Sequence, residues 1–291
     1  MHKHSYFPEM VGVCALLAAI SLLASSNSSP AQSSVAASQA RVAAPPMTIQ
    51  SAAYIHAPGP GYHPPEGVVY HYRAEWRLLN AGVVTLRMER AADGTEQVVG
   101  TADAIGFVAR LFHVHDIFQS QFDPKSFCSR GIGKHTEEGT RRRETTIHFD
   151  YQHGKSVADE LNSNKNQRRQ WENAIPACTL DVLSSLYYVS SLPLPPGSSF
   201  SFPINDGNKT ANLDVNVTRR EQVRTDAGTF STILVEPQAS SEIVKNRGKI
   251  WVWYSDDAQR IPVQMRGRLK WGTLTLTLVS IERPGQAAAK P

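Results

Sequence analysis

Apolar and polar residues alternate strictly in several segments of this chain, and this alternation restricts the fold more than any other feature. Successive side chains of a β-strand point to opposite faces of the sheet, so a period of two predicts a strand with one buried and one solvated face. Residues 68–77, 83–90, 212–218 and 273–282 show this pattern. Segments that contain Asp, Asn or Gly separate them, and the sequence "NAG" at 80–82 is predicted to form the first turn.

The alternating segments predict an all-β protein built on one large antiparallel sheet. An open sheet of many strands exposes its edges and one apolar face, so it must curl or stack to bury them. We therefore expect the sheet to curl into a barrel or half-barrel with its apolar side chains turned inward. Residues 66–283 are enough for one such domain with a full core.

Residues 175–197 (IPACTLDVLSSLYYVSSLPLPPG) interrupt the strand pattern and predict one principal helix at about 179–190. Thr179 is positioned to cap the first turn of this helix. Pro193 and the prolines after it end the helix. A helix inserted between strands is expected on the concave side of the curled sheet.

The two halves of this helix differ in polarity on a helical wheel. Ser184, Ser185 and Tyr188 lie on one half, which is expected to face outward. The other half is apolar and is expected to pack against the sheet. Its members are Leu180, Val182, Leu183, Leu186, Tyr187 and Val189.

The N-terminus has the layout of a secretory signal peptide. Lys3 precedes a charge-free run of 14 residues, from Val11 to Ala24, and small residues follow, so residues 1–26 are predicted to be removed on export. Cleavage after Ala31 is an alternative. The apolar run is shorter than the roughly 20 residues that span a bilayer, although an uncleaved anchor remains the second interpretation. The sequence predicts an exported protein without a transmembrane span, periplasmic or otherwise extracytoplasmic.

The remaining composition divides the chain into a linker, a domain and a tail. Residues 27–65 are rich in Ser, Ala, Gln and Pro and carry a single charge, on Arg41. Such a segment cannot bury enough apolar surface to offset its ordering entropy, so we predict a disordered linker. Residues 66–283 form the predicted β-rich domain, and residues 284–291 form a tail.

Removal of the signal peptide leaves two cysteines, Cys128 and Cys178. An even pair of cysteines in an oxidising compartment predicts a disulfide. The bond would close a loop worth about 4 kcal/mol in the entropy of the unfolded chain. A metal site is a weaker alternative, because the two cysteines lack the close spacing of zinc ligands. The disulfide would hold the start of the predicted helix near residues 122–132.

The chain has a formal net charge of +4, with 30 Lys and Arg against 26 Asp and Glu. The excess is concentrated in two short segments, and two interpretations remain open: a solvated surface, or a basic face that contacts lipid headgroups or an anionic polymer of the envelope. Nucleic acid is a poor candidate partner for an exported chain without a binding motif. The basic residues are Arg141, Arg142, Arg143, Arg168 and Arg169.

Few residues suggest catalysis or metal binding. His113 and His115 would point to the same side of a strand and are weak metal candidates that lack a third ligand. Ser184 and Ser185 lie on a predicted helix without a nucleophile elbow or a nearby histidine, so catalysis by them is not expected. No nucleotide or zinc-protease motif is present, and the sequence implies no cofactor.

Six segments, in this order, resemble an exported bacterial family known as domain of unknown function 3108. They include "VVYHYRAEWRLLNAGVVTLRMER", "IPACTLDVLSSLYYV" and "WVWYSDDAQRIPVQMRGRL". The resemblance covers roughly Val68 to Ile281, and its most specific parts are residues 181–184 and 253–262. It implies an all-β envelope protein and brings no catalytic residues. A curled sheet with a concave-side helix is also similar to lipoprotein carriers and lipid-binding half-barrels.

Two non-catalytic functions are compatible with this sequence. In the first, the concave side binds a lipid or a lipoprotein acyl chain. In the second, the core is filled, and the protein interacts with envelope partners through its basic face. A hollow interior would favour the first function, and a packed interior the second. The side chains predicted to line the ligand are Tyr70, Tyr72, Trp76, Leu183, Leu186 and Tyr187.

Overall fold

The structure is a computed structural model that describes residue 56 and residues 58–239, 248–269 and 272–285. The predicted signal peptide lies outside these residues, as do most of the predicted linker and the last part of the tail. Neither helix in the described ranges has the length and apolar character required to cross a bilayer.

Strands account for most of the described chain, in agreement with the alternating pattern of the sequence. The strands are β1 (Val69–Trp76), β2 (Leu79–Arg90), β3 (Glu96–Ala104), β4 (Val114–Phe122), β5 (Ser129–Glu138), β6 (Arg141–Asp150), β7 (Lys155–Asn162), β8 (Gln167–Ala174), β9 (Ser199–Asn205), β10 (Thr210–Thr225), β11 (Gly228–Ala239), β12 (Gly248–Ser255), β13 (Pro262–Leu269) and β14 (Gly272–Glu282). The helices are α1 (Gly106–Leu111) and α2 (Val182–Ser191).

The fourteen strands of the described residues belong to one antiparallel sheet, in which consecutive strands pair with each other except β8 and β9, which form its two edges. The order runs from β8 down to β1, continues through β14, and ends at β9. The sheet curls until its two ends approach each other: Trp171 Nε1 on β8 donates to the carbonyl oxygen of Gly207, just after β9, at 2.6 Å. The predicted curled antiparallel sheet with a concave-side helix is confirmed.

The period-two pattern matches the observed burial. On β1, Tyr70, Tyr72 and Ala74 are buried, and the residues between them are partly exposed. The concave side of the sheet therefore collects the apolar residues, where one large cluster joins strands from both halves of the sheet to α2. Burial of this apolar surface is the main favourable term in folding.

The first turn does not lie at residues 80–82, as the sequence suggested. Trp76 pairs directly with Leu79, so the two-residue turn consists of Arg77 and Leu78. These residues have φ values of 48° and 70°. Gly82 lies within β2 beside an irregularity in strand pairing. The glycine in "NAG" thus accommodates a bulge rather than a turn, because bulges also exploit glycine's freedom.

A disulfide joins Cys128, just before β5, to Cys178, just before α2, with 5.1 Å between the Cα atoms. The segment beside it is also hydrogen-bonded on both sides. Ser129 N donates to Thr179 O at 2.9 Å, and Leu180 N donates to Pro203 O at 3.0 Å. The segment that leads into α2 is therefore held between β5 and β9.

Candidate functional site

Helix α2 begins at a carboxylate that is buried beneath the sheet. Asp181 is 2% exposed. Its Oδ1 accepts hydrogen bonds from the backbone N–H groups of Leu183 and Ser184 at 2.8 and 3.1 Å, and Ser184 completes a capping box. The cap is therefore Asp181 and not Thr179, because the backbone hydrogen bonds to β5 and β9 keep Thr179 and Leu180 outside the helix.

The second oxygen of this carboxylate is saturated by serines from the sheet. Asp181 Oδ2 accepts from Ser120 Oγ on β4 and Ser129 Oγ on β5, both at 2.6 Å. Ser129 Oγ also lies 3.0 Å from Ser184 Oγ. The partners of the Ser184 hydroxyl are thus a serine and the capping residue rather than a histidine base. This arrangement satisfies buried polar groups and joins the helix to two strands.

The predicted outward half of α2 is in fact buried. Ser184, Ser185 and Tyr188 are 0, 4 and 0% exposed, respectively. The outward prediction was wrong because the sheet and the chain before β1 enclose the helix on several sides, which a helical wheel cannot show. The hydroxyls of Ser185, Ser190 and Ser191 each donate to the carbonyl oxygen three residues earlier, so they enter the core with their donors satisfied.

The residues predicted to line a ligand cavity occupy the interior together with α2. Tyr70, Tyr72, Leu183 and Tyr187 are buried, whereas Trp76 and Leu186 are half-buried and pack against the same cluster. Tyr72 Oη donates to Pro262 O at 2.8 Å, and Tyr254 Oη donates to Leu186 O at 2.9 Å. These side chains pack against one another, and the hydroxyls of Tyr72 and Tyr254 donate to backbone carbonyl oxygens.

Leu183 and Leu186 provide a matched pair for measuring how tightly the helix packs. Leu183 is 3% exposed, whereas Leu186, one turn later, is half-buried. We expect Leu183→Ala to lower the free energy of unfolding by about 3 kcal/mol, because it removes buried methyl groups and leaves a cavity. Leu186→Ala should cost about 1 kcal/mol, in proportion to its smaller buried area. Chemical denaturation of both variants measures the difference, and equal costs would contradict the described packing.

The hydroxyl of Tyr187 gives a second prediction about this packing. It is buried and has no hydrogen-bond partner among the described residues. We expect Tyr187→Phe to raise the free energy of unfolding by about 1 kcal/mol, because an unsatisfied buried hydroxyl carries a desolvation penalty. Tyr254→Phe, which removes a hydroxyl that does have an acceptor, should lower it by about 1 kcal/mol. A stabilised Tyr254→Phe variant would contradict the assigned hydrogen bond.

A small pocket remains beside the N-terminal end of α2. Its volume is about 20 Å³, and it is lined by residues of β4, β5, α2 and the β9–β10 turn. Lys134 Nζ donates to Asp206 O across this gap at 2.6 Å. Burial lowers the pKa of Lys134, opposed by the carboxylates of Asp206, Asp181 and Glu160, and burial raises the pKa of Asp206. The space suits about one water molecule rather than an acyl chain.

A larger cleft of about 250 Å³ lies at the C-terminal end of α2. Residues 58–62, from the predicted linker, cross this end: Gly59 N donates to Ser191 O at 2.7 Å, and Tyr62 Oη lies 3.3 Å from Ser190 Oγ. Burial raises the pKa of Tyr62 to about 12, so its hydroxyl stays protonated. The β12–β13 turn supplies the other wall of the cleft, including Arg260.

The five predicted basic-face arginines are divided between two faces of the sheet by strand alternation. Arg142 lies 3.1 Å from Glu137, and Arg168 lies 2.7 Å from Asp159. On the other face, Arg169 and Arg143 lie 3.0 and 3.9 Å from Glu160, and Arg141 begins β6. Acidic residues of neighbouring strands therefore offset most of this positive charge.

The two candidate metal ligands have carboxylate partners. His113 Nε2 lies 3.2 Å from Glu137 Oε2, and His115 Nδ1 lies 2.6 Å from Asp103 Oδ1. His113 precedes β4, so the two histidines do not share one strand. Within the described ranges, no group of three or more His, Cys, Asp or Glu side chains is arranged to hold a metal ion.

The sequence did not reveal the serines that complete the polar network. Ser120 and Ser129 lie 61 and 52 residues from Asp181 and meet it only through the curl of the sheet. A local signal for the helix start did exist, because an Asp followed three residues later by Ser precedes an apolar run. The alternating pattern predicted that tyrosines such as Tyr72 face the interior. It did not predict the backbone carbonyl oxygens to which Tyr72 and Tyr254 donate.

These features define a class of protein: a curled, helix-filled antiparallel sheet with a disulfide at the helix entrance. The chain belongs to the family described as protein of unknown function (DUF3108), whose model matches residues 71–279. A search of curated proteins found no sequence match.

Among solved structures, the chain is similar to a β-barrel-like protein of domain of unknown function DUF1849 from Brucella abortus. The identity is 9% and the TM-score 0.53, over 77% of this chain and 100% of that chain. A protein from Bacteroides fragilis, inferred to be exported and with a YmcC-like fold, is 10% identical with a TM-score of 0.29, over 76% of this chain and 98% of that one. The similarity to the DUF1849 protein shows a shared β-barrel-like fold. The TM-score of the Bacteroides fragilis protein is too low to show a shared fold.

Proposed function

We propose that this protein is a non-catalytic, exported scaffold of the cell envelope that acts through its outer surface. The observation that carries the proposal is the occupation of the concave side by α2, where Leu183, Tyr187 and Tyr188 are at most 3% exposed. A container for an amphiphile would need that space. The pocket of about 20 Å³ beside Asp181 is too small for an acyl chain.

Export and the absence of catalysis are parts of the same proposal. The signal-peptide pattern of residues 1–26 and the bond between Cys128 and Cys178 suit an oxidising, extracytoplasmic compartment. The hydroxyl of Ser184, the most deeply buried nucleophile candidate, is engaged by Ser129 and Asp181. A serine held in this way supports a structural role better than a catalytic one.

Hydrogen exchange of the exported, disulfide-bonded protein tests the scaffold. We expect the amides of α2 to exchange as slowly as those of β14, because the helix can leave the sheet only when the whole domain unfolds. Amides of β10 near Thr225, at the end of a hairpin, serve as a fast-exchanging control. Rapid exchange of α2 alone, with β14 still protected, would show that the helix opens and would contradict a permanently filled interior.

Binding of an amphiphile is the second candidate function, and the cleft of about 250 Å³ at the C-terminal end of α2 favours it. Native mass spectrometry of protein extracted from its own envelope distinguishes the candidates. A scaffold should have the mass of the polypeptide alone. A lipid adduct that is lost in Ala258→Trp, which fills the cleft, and kept in Ala92→Trp, on a distant turn, would support the second candidate instead.

A further inference from the structure

Large apolar side chains are exposed together at one end of the sheet. Leu78 in the β1–β2 turn is 94% exposed, and Leu79 is 56% exposed. Phe107 and Leu111 on α1 are 69 and 60% exposed, and Val83 on β2 is 42% exposed. Among the residues whose side chains the structure describes, no other large apolar residue reaches this level of exposure. We call these five residues the apolar tip.

The topology explains why the apolar tip is one surface. In an antiparallel meander, alternate connections lie at the same end of the sheet, so the β1–β2 turn and the β3–β4 connection are neighbours. Ile105 N donates to Ala81 O at 3.0 Å, which fixes the start of α1 beside β2. Val108 of α1 is buried in the core, whereas Phe107 and Leu111 leave most of their side-chain surface exposed to solvent.

The turn that carries Leu78 is unfavourable for its residues. Both Arg77 and Leu78 have positive φ, the left-handed region that Asn and Gly adopt readily in two-residue hairpin turns. A leucine there incurs strain and, at the tip, exposes almost its whole apolar surface to water. Backbone strain and an exposed apolar side chain both oppose folding. A leucine at this position therefore suggests that its side chain contacts another molecule.

Cations accompany the apolar tip. Arg110 lies on α1 between Phe107 and Leu111 and has no acidic partner among the described residues. Lys249 and Arg268 face each other across β12 and β13 at the same end of the sheet, also without a described acidic partner. Like charges in such a pair repel, whereas Arg142, Arg168 and Arg169 have carboxylate partners. Positive charge is therefore uncompensated where apolar side chains protrude.

We propose that the apolar tip docks on a bilayer surface that contains anionic lipid. This inference depends on the proposed function, a scaffold that acts through its outer surface. Leu78 and Phe107 would enter the acyl-chain boundary, and Arg110, Lys249 and Arg268 would meet the anionic headgroups. Apolar side chains with a cationic rim are the combination that binds such a surface. The exposed side chains project from a turn and a short helix, so a bilayer suits them better than a small ligand that needs a cavity.

Vesicle flotation of the exported, disulfide-bonded protein tests the proposal. We expect the wild-type protein to float with vesicles of equimolar phosphatidylglycerol and phosphatidylcholine, and much less with phosphatidylcholine alone. Combining Leu78→Gly with Phe107→Ser should weaken binding at least about tenfold for each lost side chain. The Leu78→Gly change should leave the melting temperature unchanged or higher, because Gly suits the turn. Leu78→Phe, which keeps an apolar tip, should preserve binding.

Two charge-reversal variants, one at the apolar tip and one far from it, provide the second control. Arg110→Glu should weaken binding at least about fivefold, because two unit charges change near the headgroups. Lys125→Glu makes the same change in the β4–β5 connection, at the other end of the sheet, and should alter binding less than about twofold, since screening limits its reach.

Three results would overturn the lipid surface as the partner. One is equal flotation of the wild-type protein and the double variant. Another is no preference of the wild-type protein for anionic vesicles. The third is a wild-type dimer, seen by sedimentation, that dissociates in the double variant, because the apolar tip would then bind a second copy. Slow exchange of α2 alongside any of these results would leave the scaffold proposal standing, so the two proposals fail separately.

Discussion

Replacing Asp181 with alanine should lower the free energy of unfolding by about 4 kcal/mol, the cost of stranding several buried donors at once. The carboxylate accepts hydrogen bonds from two backbone N–H groups of α2 and from the hydroxyls of Ser120 and Ser129. The four residues that donate are at most 3% exposed, so bulk solvent does not replace the acceptor that the substitution removes. The helix also loses its N-cap, which usually contributes about 1 kcal/mol.

Graded variants of this network separate the contributions. Asp181→Asn keeps one oxygen for the backbone N–H groups and should cost about half as much as the alanine variant, near 2 kcal/mol. Ser184→Ala should cost about 1 kcal/mol, because Ser184 is buried and its Oγ accepts from Asp181 N at 2.9 Å. Had Ser184 faced solvent, as the helical wheel predicted, Ser184→Ala would have left the free energy of unfolding nearly unchanged.

Chemical denaturation with far-ultraviolet circular dichroism measures these costs. Asp214→Ala, at a half-buried carboxylate on β10, is the matched control and should change stability by less than about 0.5 kcal/mol. An Asp181→Ala variant as stable as the Asp214→Ala variant would show that Asp181 does not connect α2 to the sheet.

Removing the disulfide should have an effect of similar size. With Cys128 and Cys178 both replaced by alanine, we expect the free energy of unfolding to fall by about 4 kcal/mol. The bond spans a sequence separation of 50, so it restricts a large part of the unfolded chain. The native fold should persist, because Thr179 and Leu180 remain hydrogen-bonded to β5 and β9.

Urea denaturation with and without reductant tests this expectation. The reductant should destabilise the wild-type protein and leave the double variant unchanged, which controls for other effects of the reductant. Peptide mapping without reduction should find the two cysteine peptides linked. Two freely alkylated thiols in the native exported protein would contradict the bond and would transfer the anchoring of α2 to the Asp181 network alone.

The two proposals place different demands on the same domain. A helix-filled interior gives a rigid body, since α2 is held at its entrance by the disulfide and Asp181 and at its end by residues 59–62. Rigidity suits a protein that presents a surface, because little ordering entropy is then lost on binding. The apolar tip lies on two short connections at one end of this body, where its composition can vary without disturbing the core.

The sequence alone determined the strands and the side chains that face inward. Tyr70, Tyr72, Val84 and Leu86 follow the period of two, and the covalent geometry of a strand converts that period directly into two faces. It also located the principal helix, because the pattern changes at residue 179 and prolines follow. These are local properties, set by neighbours along the chain.

Only the tertiary structure decided how far the helix is enclosed and where its polar groups find partners. Ser184 seemed to belong to a solvated face because a helical wheel has one core side, but a sheet that curls around a helix buries more than one side. The meeting of Asp181 with Ser120 and Ser129 depends on the same curl. The apolar tip was equally hidden, since Leu78 and Phe107 come together only through the meander. Contacts between residues distant in sequence depend on the curvature of the whole sheet, and no local pattern encodes that curvature.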